Sequence, residues 1–372
     1  IINSDTMKRV LIVSLRAGAG HIKAAEAIEM GLRKQHPEIK IENIDFLDYA
    51  DFLSQRFYGE WYLDLVRAVP ALYGWLYKNI KPSSTDYRLI FDRINAREFK
   101  EKVFDFNPDL IICTHFVPAN LLTYWRDKYH GLHAQIYLIV TDFEAHSLWA
   151  DAKVDRYFVA NEQVKKQLLR YKIAQSKIKV TGIPIDEKFL KKFDKKEIRK
   201  RLGLEDKFTV AIFSGGFGIG PVAETLKKIL KMSEDFQVII VAGKNAELYH
   251  TLTEIVRDGK RKVLLYRFVT NIEELMAISD VIVSKPGGLT VAESLAMNIP
   301  LIISSPIPGQ EEANARFLIK NRVALRADSA KKVVDTLRKM MKNRKVLEKL
   351  KKQIKKIAKP KATADIIKSL KC

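Results

Sequence analysis

The sequence predicts an α/β protein built as two doubly wound lobes facing a central cleft. Three observations lead there. Apolar, β-branched runs of strand length alternate with segments of helical period along most of the chain, and this alternation is played out twice, with a charged pause from Asp186 to Arg201 between the sets. Each set opens on a strand that runs into a glycine-rich turn, Gly18-Ala19-Gly20-His21 in the first and Ser214 to Gly220 in the second. With 372 residues, 47% of them apolar, the chain has material for a core in each lobe. The expected boundaries are 1–184 for the front lobe, 185–360 for the rear lobe, and 361–372 for a last helix crossing back to the front one.

In the front lobe, Arg9 to Leu15 reads as the first strand, followed by a helix from about Ile22 to His36. The turn between them resembles a dinucleotide fingerprint but fails it, because Lys23 stands where the third glycine belongs. What the turn offers instead is His21 at the mouth of a strand-to-helix junction, where an imidazole can take a proton from a hydroxyl at neutral pH. Between Phe46 and Tyr77 the composition changes, with Phe57, Trp61 and Trp75 among many rings interleaved with Arg56, Arg67 and Lys78. Such a stretch is too charged to span a bilayer; it suits either a core or a lipid headgroup boundary. Regular strands return at Asp109 to His115, Gln135 to Asp142 and Arg156 to Ala160, with helices around Asn95 to Phe104, Pro118 to Tyr129 and Gln163 to Tyr171. His115, Asp142 and His146 fall at strand ends or just after them, with Trp149 close behind, but nothing in their spacing makes a metal site. Lys177 to Pro184 closes the lobe.

The rear lobe starts with the strand Phe208 to Phe213, and Phe236 to Ala242, Lys262 to Val269 and Asp280 to Val283 follow, each with a helix after it. Its organising stretch is Val281 to Ser294, a buried-type strand turning through Lys285-Pro286-Gly287-Gly288 into a helix. Paired glycines let amide N–H groups approach a ligand, Thr290 adds a hydroxyl, and the start of a helix favours phosphate. One turn on, Glu293 can accept the two hydroxyls of a ribose. The next strand, Pro300 to Ser305, delivers Gln310 and Glu311 to the same kind of sheet edge, where open α/β sheets bind ligands.

Charge and cysteine content narrow the function classes. There are 65 Lys and Arg against 44 Asp and Glu, a formal net charge of +21, which favours an acidic partner such as nucleotide phosphate or anionic lipid. Much of the excess lies in surface-helix patterns, Lys191 to Arg201 and Lys331 to Lys356, that also suit solvated faces. Two cysteines make no disulfide framework, which fits a reducing cytoplasm. No apolar run nears the roughly 20 residues of a transmembrane helix, and Ile1 to Met7 is no signal peptide, so membrane contact is expected to be peripheral. The aromatics form no strand platform, so nucleic acid is not an expected partner.

Taken together, GAGH after the first strand, TDF with a following His and Trp, TGIP at the linker, FVTNIEEL, KPGGLTVAE and PIPGQE resemble the diacylglycerol glycosyltransferases and monogalactosyldiacylglycerol synthases, and more distantly the lipid-linked N-acetylglucosaminyltransferase of peptidoglycan synthesis. The resemblance covers nearly the whole chain. It implies a GT-B fold of two Rossmann-like lobes, an acceptor- and lipid-binding front lobe, a UDP-sugar-binding rear lobe, and inverting transfer of glucose or galactose from UDP-glucose or UDP-galactose to diacylglycerol. No cofactor or metal is expected. Carried over by motif, His21 is the base, while Phe268, Val269, Ser214, Gly215, Gly287, Gly288, Leu289, Thr290 and Glu293 meet the nucleotide. Gln310 and Glu311 meet the donor sugar, and Gly20, Asp142, His146, Trp149, Phe57, Trp61 and Trp75 meet the acceptor or lipid. The same resemblance implies a cytoplasmic enzyme, peripheral on the inner face of the cell membrane. A UDP-sugar epimerase, or a transferase to another lipid-linked acceptor, on the same fold is the competing expectation.

Overall fold

A computed structural model describes residues 7–16, 18–50, 96–129, 131–216, 218, 220–257, 259 and 261–370. The chain divides into two compact units, Ile1–Glu187 with Lys361–Cys372, and Lys188–Pro360. Each holds one six-stranded parallel sheet flanked by helices.

In unit 1 the strands are β1 (Arg9–Ser14), β2 (Lys40–Asp45), β3 (Leu110–Cys113), β4 (Gln135–Ile139), β5 (Arg156–Val159) and β6 (Ile178–Val180), in the order β2-β1-β3-β4-β5-β6. The helices are α1 (Ala19–Gln35), α2 (Arg97–Phe106), α3 (Phe116–Lys128) and α4 (Glu162–Arg170). A parallel sheet is covered on both faces, so its central strands are apolar throughout. Along β1 the side chains alternate between two cores: Leu11 and Val13 join Ile111, Phe99 and Trp125 on one face, and Val10 and Ile12 join Ile28 and Leu32 of α1 on the other. Phe46 and Leu47, at the head of the aromatic stretch, lie in the first of these cores, with Phe46 edge-on to Phe99 at 5.0 Å. This corrects the expectation that the stretch faces lipid from its start. Its later members, including Phe57, Trp61 and Trp75, lie outside the described residues.

Unit 2 runs α5 (Lys195–Arg201), β7 (Thr209–Phe213), α6 (Val222–Leu230), β8 (Gln237–Val241), α7 (Ala246–Arg257), β9 (Val263–Tyr266), α8 (Ile272–Ala277) and β10 (Val281–Ser284). It continues with α9 (Gly288–Ala296), β11 (Leu301–Ile303), α10 (Gln310–Lys320), β12 (Ala324–Arg326), α11 (Ala330–Lys342) and α12 (Arg344–Ile357). The strand order is β12-β11-β10-β7-β8-β9. Chain direction across the sheet therefore reverses between β7 and β10, and the loops after those two strands part on either side of that point.

The last helix, α13 (Ala362–Ser369), packs on α1 within unit 1. Ile366 and Ile367 complete the core that holds Val10 and Ile28. Polar bonds fix the register: Thr363 Oγ1 donates to the Ile185 carbonyl at 2.6 Å and accepts from the Ile185 N–H at 3.1 Å, and Arg156 donates to the Ser369 carbonyl at 2.9 Å. Gly31 of α1 makes this contact possible, since a Cβ there would collide with Ile367 and stand 3.1 Å from Thr363 Cγ2. No helix among the described residues is long and apolar enough to cross a membrane.

Candidate active site

Unit 1 gathers polar groups beside the point where β1 and β3 diverge. His21 stands in the first turn of α1, half-buried. Its Nδ1 lies 2.9 Å from the Thr114 carbonyl oxygen and 2.9 Å from Thr141 Oγ1. A carbonyl can only accept, so Nδ1 carries the proton and Nε2 is left with a free lone pair. That is the tautomer a general base needs. Burial pushes the His21 pKa down to about 4, against the hydrogen bond to Thr114, which raises it. The imidazole is thus neutral at physiological pH. Protonation would remove the lone pair, so kcat/KM is expected to fall on an acid limb with its midpoint near 4, rather than near the 6.5 of an ordinary histidine. A pH–rate profile checks this, and a midpoint at the ordinary value would place the base elsewhere.

Around this ring, His115 sits edge-on with centroids 4.8 Å apart, and Trp149 lies 6.4 Å away. His115 caps α3, its Nδ1 accepting from the Val117 N–H at 3.2 Å, and burial first, then the nearby His21, holds its pKa well below the usual histidine value. Two buried polar atoms of this cluster, Thr114 Oγ1 and Trp149 Nε1, have no partner among the described residues. Orphaned buried groups of this kind call for an explanation, and a substrate site is one.

The predicted acceptor residues are placed unequally. Gly20 is in the first turn of α1, next to His21. Asp142 is buried just past β4 and directly after Thr141, and His146 caps the single turn Ser147–Trp149 by accepting from the Leu148 N–H. Trp149 is fully buried in the core of unit 1, with its ring 6.4 Å from that of His21. Thr114 and Thr141 were the residues missed as site members. Both follow apolar strands directly, which was the available signal. Replacing Thr141 with valine removes one of two acceptors for Nδ1–H and is expected to lower kcat about 2- to 10-fold, with serine restoring it; steady-state kinetics checks this.

In unit 2 three loops reach the C-terminal edge of the sheet. The turn Lys285-Pro286-Gly287 leads from β10 into α9, whose N-cap Gly287 lacks any side-chain cap bond. The first N–H groups of such a helix have no intrahelical partner. A Cβ built on Gly287 would meet no atom within 4 Å, so there is open space beside the turn. The side chain of Asn314 on α10 donates to the Pro286 carbonyl at 3.1 Å and fixes the turn from behind. Gly288, Leu289 and Thr290 therefore form a helix start suited to an anion, with half-buried Glu293 one turn on.

The second loop, after β11, ends at Gly309, whose φ of 100° only glycine adopts readily. Beyond it Gln310 and Glu311 open α10. The Glu311 carboxylate accepts from the Ile307 N–H at 2.7 Å; burial raises its pKa, opposed by the Lys285 charge and by that N–H. Lys285 and Asn314 thus support the two predicted binding elements. The third loop, after β7, is tied to the one after β8: a Cβ on Gly218 would stand 2.9 Å from the Ala242 carbonyl, and one on Gly243 3.0 Å from that of Gly216. Gly215, at φ 75°, faces open space. Ser214 does not: its buried hydroxyl donates to the Val241 carbonyl at 3.0 Å, so it anchors the loop rather than offering a donor to nucleotide. Phe268, past β9, is 58% exposed, a free ring of the kind a base can stack on, with half-buried Val269 beside it. Among the described residues, no group of three or more His, Cys, Asp or Glu is arranged to hold a metal ion.

Solved structures share this architecture. MurG of Acinetobacter baumannii aligns with a TM-score of 0.64 at 14% identity, covering 97% of this chain and 98% of its own. A UDP-GlcNAc 2-epimerase from Neisseria meningitidis, bound to UDP-GlcNAc, aligns at 0.62 and 16% identity, covering 98% and 99%. The fold, two α/β units each with a parallel sheet, is the one these proteins share. Residues 21–185 match the monogalactosyldiacylglycerol (MGDG) synthase family, and residues 209–370 match the glycosyltransferase family 28 C-terminal domain. Processive diacylglycerol beta-glucosyltransferases of Bacillus pumilus (strain SAFR-032) and Bacillus subtilis (strain 168) are each 28% identical to it, over 94% of this chain and 91% of theirs. The chain is thus a glycosyltransferase with an MGDG synthase domain followed by a glycosyltransferase family 28 C-terminal domain, similar over nearly its whole length to diacylglycerol glucosyltransferases.

Proposed function

We propose that this protein transfers a hexose, glucose or galactose, from a UDP-sugar to the free hydroxyl of diacylglycerol or of a glycosyl-diacylglycerol at a membrane surface. The observation that carries the reading is His21, held by the Thr114 carbonyl and the Thr141 hydroxyl with Nε2 free to accept a proton. Nε2 takes the proton of the acceptor hydroxyl as its oxygen attacks the anomeric carbon. The bond from that carbon to the diphosphate oxygen breaks with its electron pair, the configuration inverts, and UDP leaves. Negative charge grows on the diphosphate in this step, and the amides of Gly288 to Thr290 with the α9 dipole are suited to stabilise it. Phe268 and Val269 take the base, Glu293 the ribose, and Gln310 with Glu311 the sugar hydroxyls. The site of action implied is the cytoplasmic face of the membrane.

Incubation with labelled UDP-glucose and, separately, UDP-galactose, each with diacylglycerol in detergent micelles, is the test. A labelled glycolipid from either donor supports the reading, and the donor that is used names the hexose. Label that appears only in a free sugar or an epimerised nucleotide sugar, with or without lipid, would replace transfer with the epimerase chemistry named for the structural neighbour from Neisseria meningitidis.

A further inference from the structure

Positive charge is shared unequally between the units. Unit 2 carries 36 lysines and arginines against 19 acidic residues, a net of +17, whereas unit 1 carries 29 against 25, a net of +4. Residues 330–359 alone hold 13 basic and 2 acidic residues. This stretch is α11 and α12.

Lys345, Lys349, Lys352 and Lys356 recur along α12 at spacings of four, three and four, which places them on one stripe about 17 Å long. All four are exposed, and Leu347, Leu350 and Ile354 on the opposite stripe are buried. On α11 the pattern repeats, with Lys331, Lys332, Lys339 and Lys342 exposed and Val333, Leu337 and Met340 buried. The two helices pack together, which brings both sets of exposed lysines to one part of unit 2. Some other cations of unit 2 sit on carboxylates, Arg326 on Glu312 and Arg201 on Glu274 among them. Among the described residues, none of the four α12 stripe lysines has such a partner.

We propose that the α11–α12 face is an electrostatic docking surface for the anionic headgroups of a bilayer, which holds the protein at the membrane without inserting into it. The apolar stripes of both helices are committed to the core of unit 2, so the face has charge to offer and no greasy wedge. Lysine ammonium groups act as hydrated point charges that tolerate any array of phosphates. Neither helix carries an aromatic ring on which a nucleobase could stack. A bilayer is chosen over other polyanions because the inference rests on the proposed lipid acceptor, which is reached only at a membrane.

The test is flotation of the full chain, without nucleotide, on vesicles of phosphatidylcholine alone or mixed with phosphatidylglycerol, at low and high salt. Wild type is expected to float with the mixed vesicles only, and to be released by salt. Joint Lys345→Gln, Lys349→Gln, Lys352→Gln and Lys356→Gln substitution is expected to weaken that binding roughly tenfold or more. Four exposed basic residues of unit 1, Lys166, Arg170, Lys172 and Lys368, changed to Gln together, are expected to leave it near wild type. Equal binding by wild type and the α12 variant overturns the proposal, as does wild-type flotation indifferent to phosphatidylglycerol. So does loss in the α12 variant of single-stranded RNA binding where no vesicle binding existed. Transfer in detergent micelles is expected to survive the α12 changes, and its absence in wild type would sink the proposed function while leaving the flotation result standing.

Discussion

Substitution of His21 by alanine is expected to cut kcat for glycosyl transfer about 10³-fold, with the KM for the nucleotide sugar little changed. A hydroxyl attacking an anomeric carbon must lose its proton on the way, and with no base in reach the proton is lost to water from an oxonium-like state. The size of the effect depends on the imidazole being neutral and correctly protonated before substrate arrives. Burial ensures the first, and the Thr114 carbonyl the second. His21→Gln is the sharper control, because it keeps a polar side chain of similar length but cannot take a proton at any accessible pH. Steady-state rates for both variants, with circular dichroism to confirm the fold, decide the matter. Turnover near wild type in either one would remove His21 from the chemistry.

The second large effect is expected at Gly287. Its φ of −61° and ψ of 140° are open to any L residue, and a Cβ there meets nothing within 4 Å. Gly287→Asp is therefore expected to fold and melt like wild type. It places a carboxylate at the start of α9, where the diphosphate would sit, and this charge takes the helix amides for itself and repels the ligand. UDP affinity is expected to fall about 100-fold, with Gly287→Ala giving a smaller loss from bulk alone. Calorimetric titration with UDP measures both. Unchanged affinity in the aspartate variant would mean that the nucleotide lies elsewhere in unit 2.

The central strands were legible because burial on both faces leaves them no polar positions: VLIV in β1, LIIC in β3 and VIIV in β8 read as strands at once. The edges were not. β2 alternates Lys40, Glu42 and Asp45 with its apolar residues, and β12 is three residues long, so neither carries a run of hydrophobes to find. At the candidate site, positions that depend on local chain direction could be read, such as His21 after β1 and Gly287 after β10. What could not be read was the company they keep. The group that sets the His21 tautomer is a backbone carbonyl 93 residues away, and a carbonyl has no letter in the sequence. Ser214 failed for a related reason: a hydroxyl in a glycine turn looks available until the neighbouring strand supplies an acceptor for it.

Because α13 belongs to unit 1, the half of the protein synthesised first is finished last. Until residues 361–370 follow the whole of unit 2 off the ribosome, Ile28 and Leu32 of α1 lack the isoleucines that cover them. Nascent unit 1 thus carries a bare apolar groove through all of that interval, a target for chaperones, and a fragment ending at Glu187 inherits the same sticky flank permanently.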